Sequence, residues 1–470
     1  MERKNVWASY TEKDNTKLES VASSYRAFLD LGKTERECAE QIVLEAEKKG
    51  YESLEKVIAS GRTLKAGDKV YAVCMKKTVV LFNIGENDIT KGMNILCAHI
   101  DSPRLDVKQN PLYEHTDLAY LATHYYGGVK KYHWVALPLA IHGVVAMKDG
   151  SVVNVCVGED ESDPVLYITD LLIHLSQKQL QKKGAEVVEG ENLDILVGSR
   201  PLKQEKDDEE KTKKEKKAVA ANVLRILKEK YGMEEEDFLS AELEIVPAGR
   251  ARECGLDRSM IAAYGQDDRV CAYTSLLAML EEETPKRTAC CLLVDKEEIG
   301  SVGATGMQSR FFENSVAELL GAMGYTSDLA LRRTLKNCCM LSSDVSAGFD
   351  PAYADVFEKK NAAYLGRGIV LNKFTGARGK SGSNDANAEY VAKVRRIFDD
   401  NKVAFQTAEL GRVDAGGGGT IAYIAALYGM EVIDSGVAVL SMHAPWEVTS
   451  KADVYEAYKA YRAFLQYDPA

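Results

Sequence analysis

No stretch of this 470-residue chain approaches the roughly 18 apolar residues that a membrane span requires. The opening segment, MERKNVWASYTEKDNTK, is polar and lacks the apolar core of a secretory signal. Cation excess is missing too: the formal net charge is −11, which argues against nucleic acid, whose phosphates call for a basic surface. Among ten cysteines no CxxC pair suggests a zinc ribbon. The adjacent pairs Cys290-Cys291 and Cys338-Cys339 lie in apolar runs, where strand neighbours point to opposite faces. They read as reduced core residues, and a cytoplasmic setting is expected. No internal repeat is visible. Histidine is scarce, at seven residues, so each can be weighed singly.

Length favours two domains. NILCAHI (94–100), ACCLLVD (289–295), CCMLSSD (338–344) and GVAVLSMH (436–443) read as buried strands. RVCAYTSLLAMLEEE (269–283), ANAEYVAKVRRIFDDN (386–401) and GGTIAYIAALYG (418–429) read as helices between them. This alternation predicts an α/β fold with a mostly parallel central sheet and flanking helices. Residues 103–251 differ, offering short β-like pieces and a charge tract near 203–217 expected to be a solvated loop. The expected organisation is an α/β domain of residues 1–102 and 252–470, interrupted by a β-rich insert at 103–251.

Chemistry concentrates at the ends of the apolar runs. His99 and Asp101 follow the first, Glu297 and Glu298 the second, Asp344 the third and His443 the fourth. Asp267 and Asp268 precede a helix, where capping would account for one aspartate but not for the whole set. Carboxylates at apolar strand ends cost several kcal/mol unless partnered or bound to a cation. In open α/β sheets the carboxyl ends of the strands are where ligands bind. Imidazole and carboxylate without thiolate suit catalytic zinc, cobalt or manganese. His99, Asp267, Glu298, Asp344 and His443 exceed one open tetrahedral site and fit two metals sharing an aspartate. Glu297 is then available as general base. If both glutamates end a strand, their side chains should diverge.

The ordered series HxD, DD, EE, D, H resembles the co-catalytic dinuclear aminopeptidases, and more closely the aspartyl aminopeptidases of metallopeptidase family eighteen. AHIDSPRLDVK, DKEEIGSVGATG, SSDVSAGFDP and LSMHAPWE each resemble a family segment. The resemblance implies a zinc-aminopeptidase, phosphorylase-like α/β fold with an inserted dimerisation domain. It implies two divalent ions per subunit: His99 and Asp344 on one, Glu298 and His443 on the other, Asp267 rather than Asp268 between them. Glu297 would carry the proton, and Asp101 would orient His99. Peptides would be the substrates, with a preference for an acidic N-terminal residue read by a basic group, for which Lys373, Arg378 and Lys380 are candidates. His174, in LYITDLLIHLSQKQ, is similar in placement to a family histidine that reaches a neighbouring subunit's active site, whereas a lone histidine on an apolar helix is ordinarily core. The glycine run at 413–429 would be an active-site loop; it has no Walker lysine and no GxGxxG with an acidic partner. A tetrahedral dodecamer is implied. The competing readings are a related di-metal carboxypeptidase or deacylase, and a non-catalytic scaffold.

Overall fold

The computed structural model describes residues 3–203 and 217–468, so most of the charged tract expected at 203–217 lies outside the described residues. Two compact units emerge. The first comprises Met1–Ser102, Ala251–Met442 and Trp446–Ala470, and the second Pro103–Arg250 with His443–Pro445. Ala251, assigned to the insert from sequence, belongs to the first unit, where its N–H donates to the Asp30 carboxylate at 2.6 Å.

The first unit is mixed α/β and is built on a nine-stranded sheet. Its order is Glu52–Ser53, Lys69–Cys74, Thr78–Asn83, Ala289–Val294, Asn94–His99, Cys339–Ser343, Glu431–Gly436, Ile369–Asn372 and Phe405–Thr407. The four strands from Ala289–Val294 to Glu431–Gly436 run parallel, and the neighbours on either side of that block are antiparallel to it. Near-continuous apolar runs form these strands because both faces are covered. Helices Glu12–Leu31, Glu35–Lys48, Gln266–Leu280, Ala388–Asp400 and Lys451–Leu465 bury one face. Leu54–Ser60, Phe311–Ala322, Asp328–Lys336 and Ala422–Ala426 bury the other. The cysteine pairs divide as their alternation predicts: Cys291 and Cys339 enter the first core, Cys290 and Cys338 the second, and all ten cysteines are free thiols.

One expected strand is really two. The run at 436–443 is broken after Gly436: Glu431–Gly436 belongs to the large sheet, while Ala438–Leu440 enters a separate five-stranded sheet. Gly436 permits a close approach there, since a Cβ on it would lie 1.8 Å from the Asp344 carbonyl oxygen. The stretch expected as a helix at 418–429 is helical only over Ala422–Ala426, because the preceding glycines supply no helical preference.

In the second unit a seven-stranded sheet dominates. Ala241–Pro247 pairs with both Arg104–His115 and Pro138–Ala146, so the hydrogen bonding closes on itself. Helix Ala218–Tyr231 packs Val219 and Val223 against Ala119. Among the described residues, no helix is long and apolar enough to cross a membrane.

Candidate metal centre

Strand register gathers the site. Val294 pairs with His99 and Ser342 with Cys97, which puts His99, Asp344 and the turn after Val294 at one level on adjacent parallel strands. Asp344 follows the strand Cys339–Ser343 directly, and its N–H donates to Ser435 at 3.1 Å. Past Val294 the chain turns through Lys296, which is left-handed at φ 69°, into a 3₁₀ turn, Glu297–Ile299. The two glutamates therefore do not end a strand and do not diverge. Each offers an oxygen within 4.8 Å of the other's and of a His99 nitrogen.

His99 is oriented through Nδ1, which lies 3.1 Å from the Asp101 carbonyl and 3.3 Å from its Oδ1. Both neighbours are acceptors, which assigns a proton to Nδ1 and aims Nε2 into the site. Nε2 meets Asp267 Oδ1 at 3.2 Å, Asp344 Oδ1 at 3.9 Å and Glu297 Oε2 at 4.0 Å. A ring nitrogen facing three carboxylates calls for positive charge between them, either its own proton or a cation. His99, Asp267 and Asp344 offer one mutually close donor set, and His99, Glu297 and Glu298 another. His99 and Asp267 are 1% and 4% exposed, whereas Asp344 and Glu297 reach 14% and 17%, so the cluster opens on the side of those two acids.

The electrostatics carry the same message. Burial alone would lower the His99 imidazole, but Asp101, Asp267 and Glu297 hold it well above its ordinary value. Burial, with Glu297 and Asp267 beside it, pushes the Asp344 carboxyl well above the carboxylate range. Protons neutralise this crowding, and a divalent cation would displace them. The donor set thus fits zinc, whose catalytic sites take imidazole and carboxylate and keep a position open.

The adjacent aspartates separate clearly. Asp267 joins the cluster; Ser102 Oγ donates to its carbonyl at 2.7 Å, and its N–H donates to Glu447 Oε2 at 3.0 Å. Asp268 is fully buried, and burial beside Asp267 pushes its carboxyl well above the ordinary range, with His99 opposing. Ser102 and Glu447 were not singled out by sequence, although both lie in the quoted motifs. The signal for Glu447 was an acid at the head of a short β-prone segment, Glu447–Ser450, four residues after His443.

His443 counts with the second unit, where its Nδ1 lies 2.9 Å from the Gly128 carbonyl at a left-handed φ of 63°. The basic candidates do not gather at the His99 level. Val370 pairs with Gly436, and the strand then runs away from that level towards Lys373. Lys373 forms an ion pair with Asp385, Lys380 contacts the same carboxylate at 3.0 Å, and Arg378 is exposed in a turn. His174 lies in an exposed 3₁₀ turn, Ile173–Leu175, rather than on a buried helix face. Its apolar neighbours Ile168, Leu171, Leu172 and Leu175 are spaced as on one face of a helix, but the segment is not an α-helix and Leu171, Leu172 and Leu175 stay exposed. The glycine run holds no phosphate-type helix start; its Thr420 hydroxyl instead donates to buried Asp434.

Comparisons with known proteins agree with this chemistry. The family model of the aminopeptidase I zinc metalloproteases (M18) matches residues 28–465. An M18 family aminopeptidase 1 of Clostridium acetobutylicum is 59% identical, covering 99% of this chain and 98% of that protein. The M18 aminopeptidase structure from Thermotoga maritima superposes with a TM-score of 0.92 at 44% identity, covering 99% of both chains. The S. cerevisiae mApe1 dodecamer shares the fold, with a TM-score of 0.75 at 21% identity over 95% of this chain and 97% of that one. Imidazole and carboxylates at the carboxyl edge of a parallel sheet, together with these likenesses, make the chain a member of the M18 family of zinc metallo-aminopeptidases.

Proposed function

We propose that this aminopeptidase removes the N-terminal residue of peptides at the cluster around His99, with Glu297 as the proton carrier. The observation that supports this most is the convergence of His99, Asp267, Glu297, Glu298 and Asp344 into donor sets no wider than 4.8 Å. His99, Asp267, Glu298 and Asp344 would hold the divalent ions, which would supply Lewis acidity for the scissile carbonyl and an acidified water. Glu297 takes the proton of the attacking water and delivers it to the leaving amine. Its partial exposure gives it the reach to do so, while Asp101 and Glu447 hold the donors in place.

An acidic N-terminal preference would need an uncompensated cation beside the cluster. Lys373 and Lys380 share the one carboxylate of Asp385, so the group keeps a net positive charge that suits an acidic side chain. The second unit serves self-association in the cytoplasm: Leu172, Ile173 and Leu175 are each more than half exposed beside His174, an apolar edge suited to another copy of the chain. A dodecamer like that of mApe1 would cover it.

The test pairs metal analysis with turnover. Glu297→Gln should retain its zinc and lose about 10²–10⁴-fold in kcat, whereas Glu298→Gln should lose both metal and turnover. Undiminished turnover in Glu297→Gln would refute the assignment. Product analysis on peptides opening with Asp, Glu, Leu or Lys reads the preference and separates aminopeptidase from carboxypeptidase action.

A further inference from the structure

A cavity of about 820 Å³ sits against Phe405–Thr407, the edge strand of the large sheet. Six cations line it: Arg3, Lys359, Lys360, Arg367, Lys373 and Arg395. The one acid in its wall is Glu409. That balance reverses the sign of a chain whose net charge is −11. Of the six, Lys373 is paired with Asp385; among the described residues no ion pair engages the other five. Uncompensated cations facing one another across a small volume repel, and the repulsion is relieved when an anion enters.

The wall is held in place from behind. The carboxylate of Asp453, fully buried, accepts the N–H groups of Gly366 and Gly368 at 2.7 Å each, so the backbone is fixed on both sides of Arg367. The Gln406 amide, also buried, donates to the carbonyls of Tyr364 and Gly368 at 2.8 and 3.1 Å and accepts the Tyr364 N–H at 2.9 Å. Val6 N–H donates to the Gly366 carbonyl at 2.8 Å, tethering the segment that carries Arg3. The guanidinium of Arg367 lies 4.3 Å from the centre of the Tyr364 ring, and that of Arg3 lies 4.3 Å from the centre of Phe405. Stacking occupies the flat faces and leaves the N–H edges for oxygen acceptors.

We infer that this cavity binds a compact anion of three or more charges, presenting phosphate or carboxylate oxygens to Arg367 and Arg395. Its volume is that of a small-molecule site, not of a surface stripe for a long polymer. Guanidinium forks accept either oxyanion with paired hydrogen bonds, so the two sources share one chemistry. The inference stands independently of the residue roles proposed at the metal centre, since none of those residues lines the cavity.

Calorimetric titration of the zinc-loaded full chain tests it, using tripolyphosphate and citrate in separate arms at matched ionic strength. Saturable binding is expected in at least one arm, and the tighter arm names phosphate or carboxylate as the natural group. Arg367→Ala and Arg395→Ala should each weaken that binding about tenfold or more. Arg396→Ala, one position along the same helix and outside the cavity, should leave it unchanged. Metal chelation by the anion is common to native protein and variants, so the ratio between them is the reading. Absence of saturable binding in both arms, or equal weakening by Arg396→Ala, would overturn the inference.

Discussion

Asp101 holds Glu297 by the backbone: its Oδ1 accepts the Glu297 N–H at 3.1 Å, while Oδ2 accepts the Glu298 N–H at 3.2 Å. The same residue lies against Nδ1 of His99. One buried side chain thus orients an imidazole and the turn bearing two carboxylates. Asn at this position could accept only one of the two N–H groups, and its own NH₂ would face the other. Asp101→Asn is expected to cost about 10–100-fold in metal affinity or kcat, read by zinc titration and steady-state kinetics. An effect under twofold in both would show that the turn holds itself.

Metal removal should be visible without substrate. The crowded acids around His99 lose their counter-charge when a chelator strips the zinc, and a ligand bound only by the folded chain stabilises it. The apo protein should melt at a lower temperature than the loaded one, and the midpoint should climb with added zinc. At a hundredfold excess over Kd the expected gain is about 2.7 kcal/mol. Scanning calorimetry across a zinc series gives the answer.

Asp434 should set part of the pH dependence of stability. Burial raises its carboxyl to about 7, with the Thr420 hydrogen bond opposing, against about 3.9 in the unfolded chain. The folded state therefore keeps this proton over a range where the unfolded state has released it. Its contribution is complete below about pH 4, falls as pH rises to about 7 and is flat above. Asp434→Asn, which keeps the shape and an acceptor for Thr420, should be more stable than native protein at pH 8. At pH 4 it should be level with it. Urea midpoints at the two values decide.

Gly436→Ala should be severely destabilised, because its Cβ would enter the Asp344 carbonyl, whose backbone is pinned by the adjacent parallel strands. Over-packing of this kind typically costs about 1–3 kcal/mol, and here the displaced atom belongs to a residue of the metal cluster. Zinc affinity and denaturation midpoint should fall together. A loss of stability alone would mean that Asp344 keeps its place.

Much of the site was legible because its acids and His99 stand where apolar runs stop. Those runs are strands buried on both faces, so local composition reported them directly. Other features depended on contacts distant in sequence. The break at Gly436 is invisible locally, since Val437–Leu440 is as apolar as the strand before it and only the pairing partners differ. The glutamates read as a strand end because the left-handed Lys296 leaves no compositional trace. Helical spacing around His174 suggests a buried face, but the apolar residues there are covered by nothing in the described chain. Glu447 gave a faint signal, because its partner Asp267 lies 180 positions earlier.

The parallel strands also act as a ruler. Adjacent strands stand about 4.8 Å apart whatever their sequence, and His99, Asp344 and the turn after Val294 each leave a different one at a common level. Separation between their backbones is thus set by the hydrogen-bonded lattice and not by the donor side chains themselves. Exchange of one divalent ion for another of different radius must be absorbed by side-chain rotation alone. Metal preference in this enzyme should accordingly evolve through rotamers and their neighbours, on a frame that the exchange of ions leaves in place.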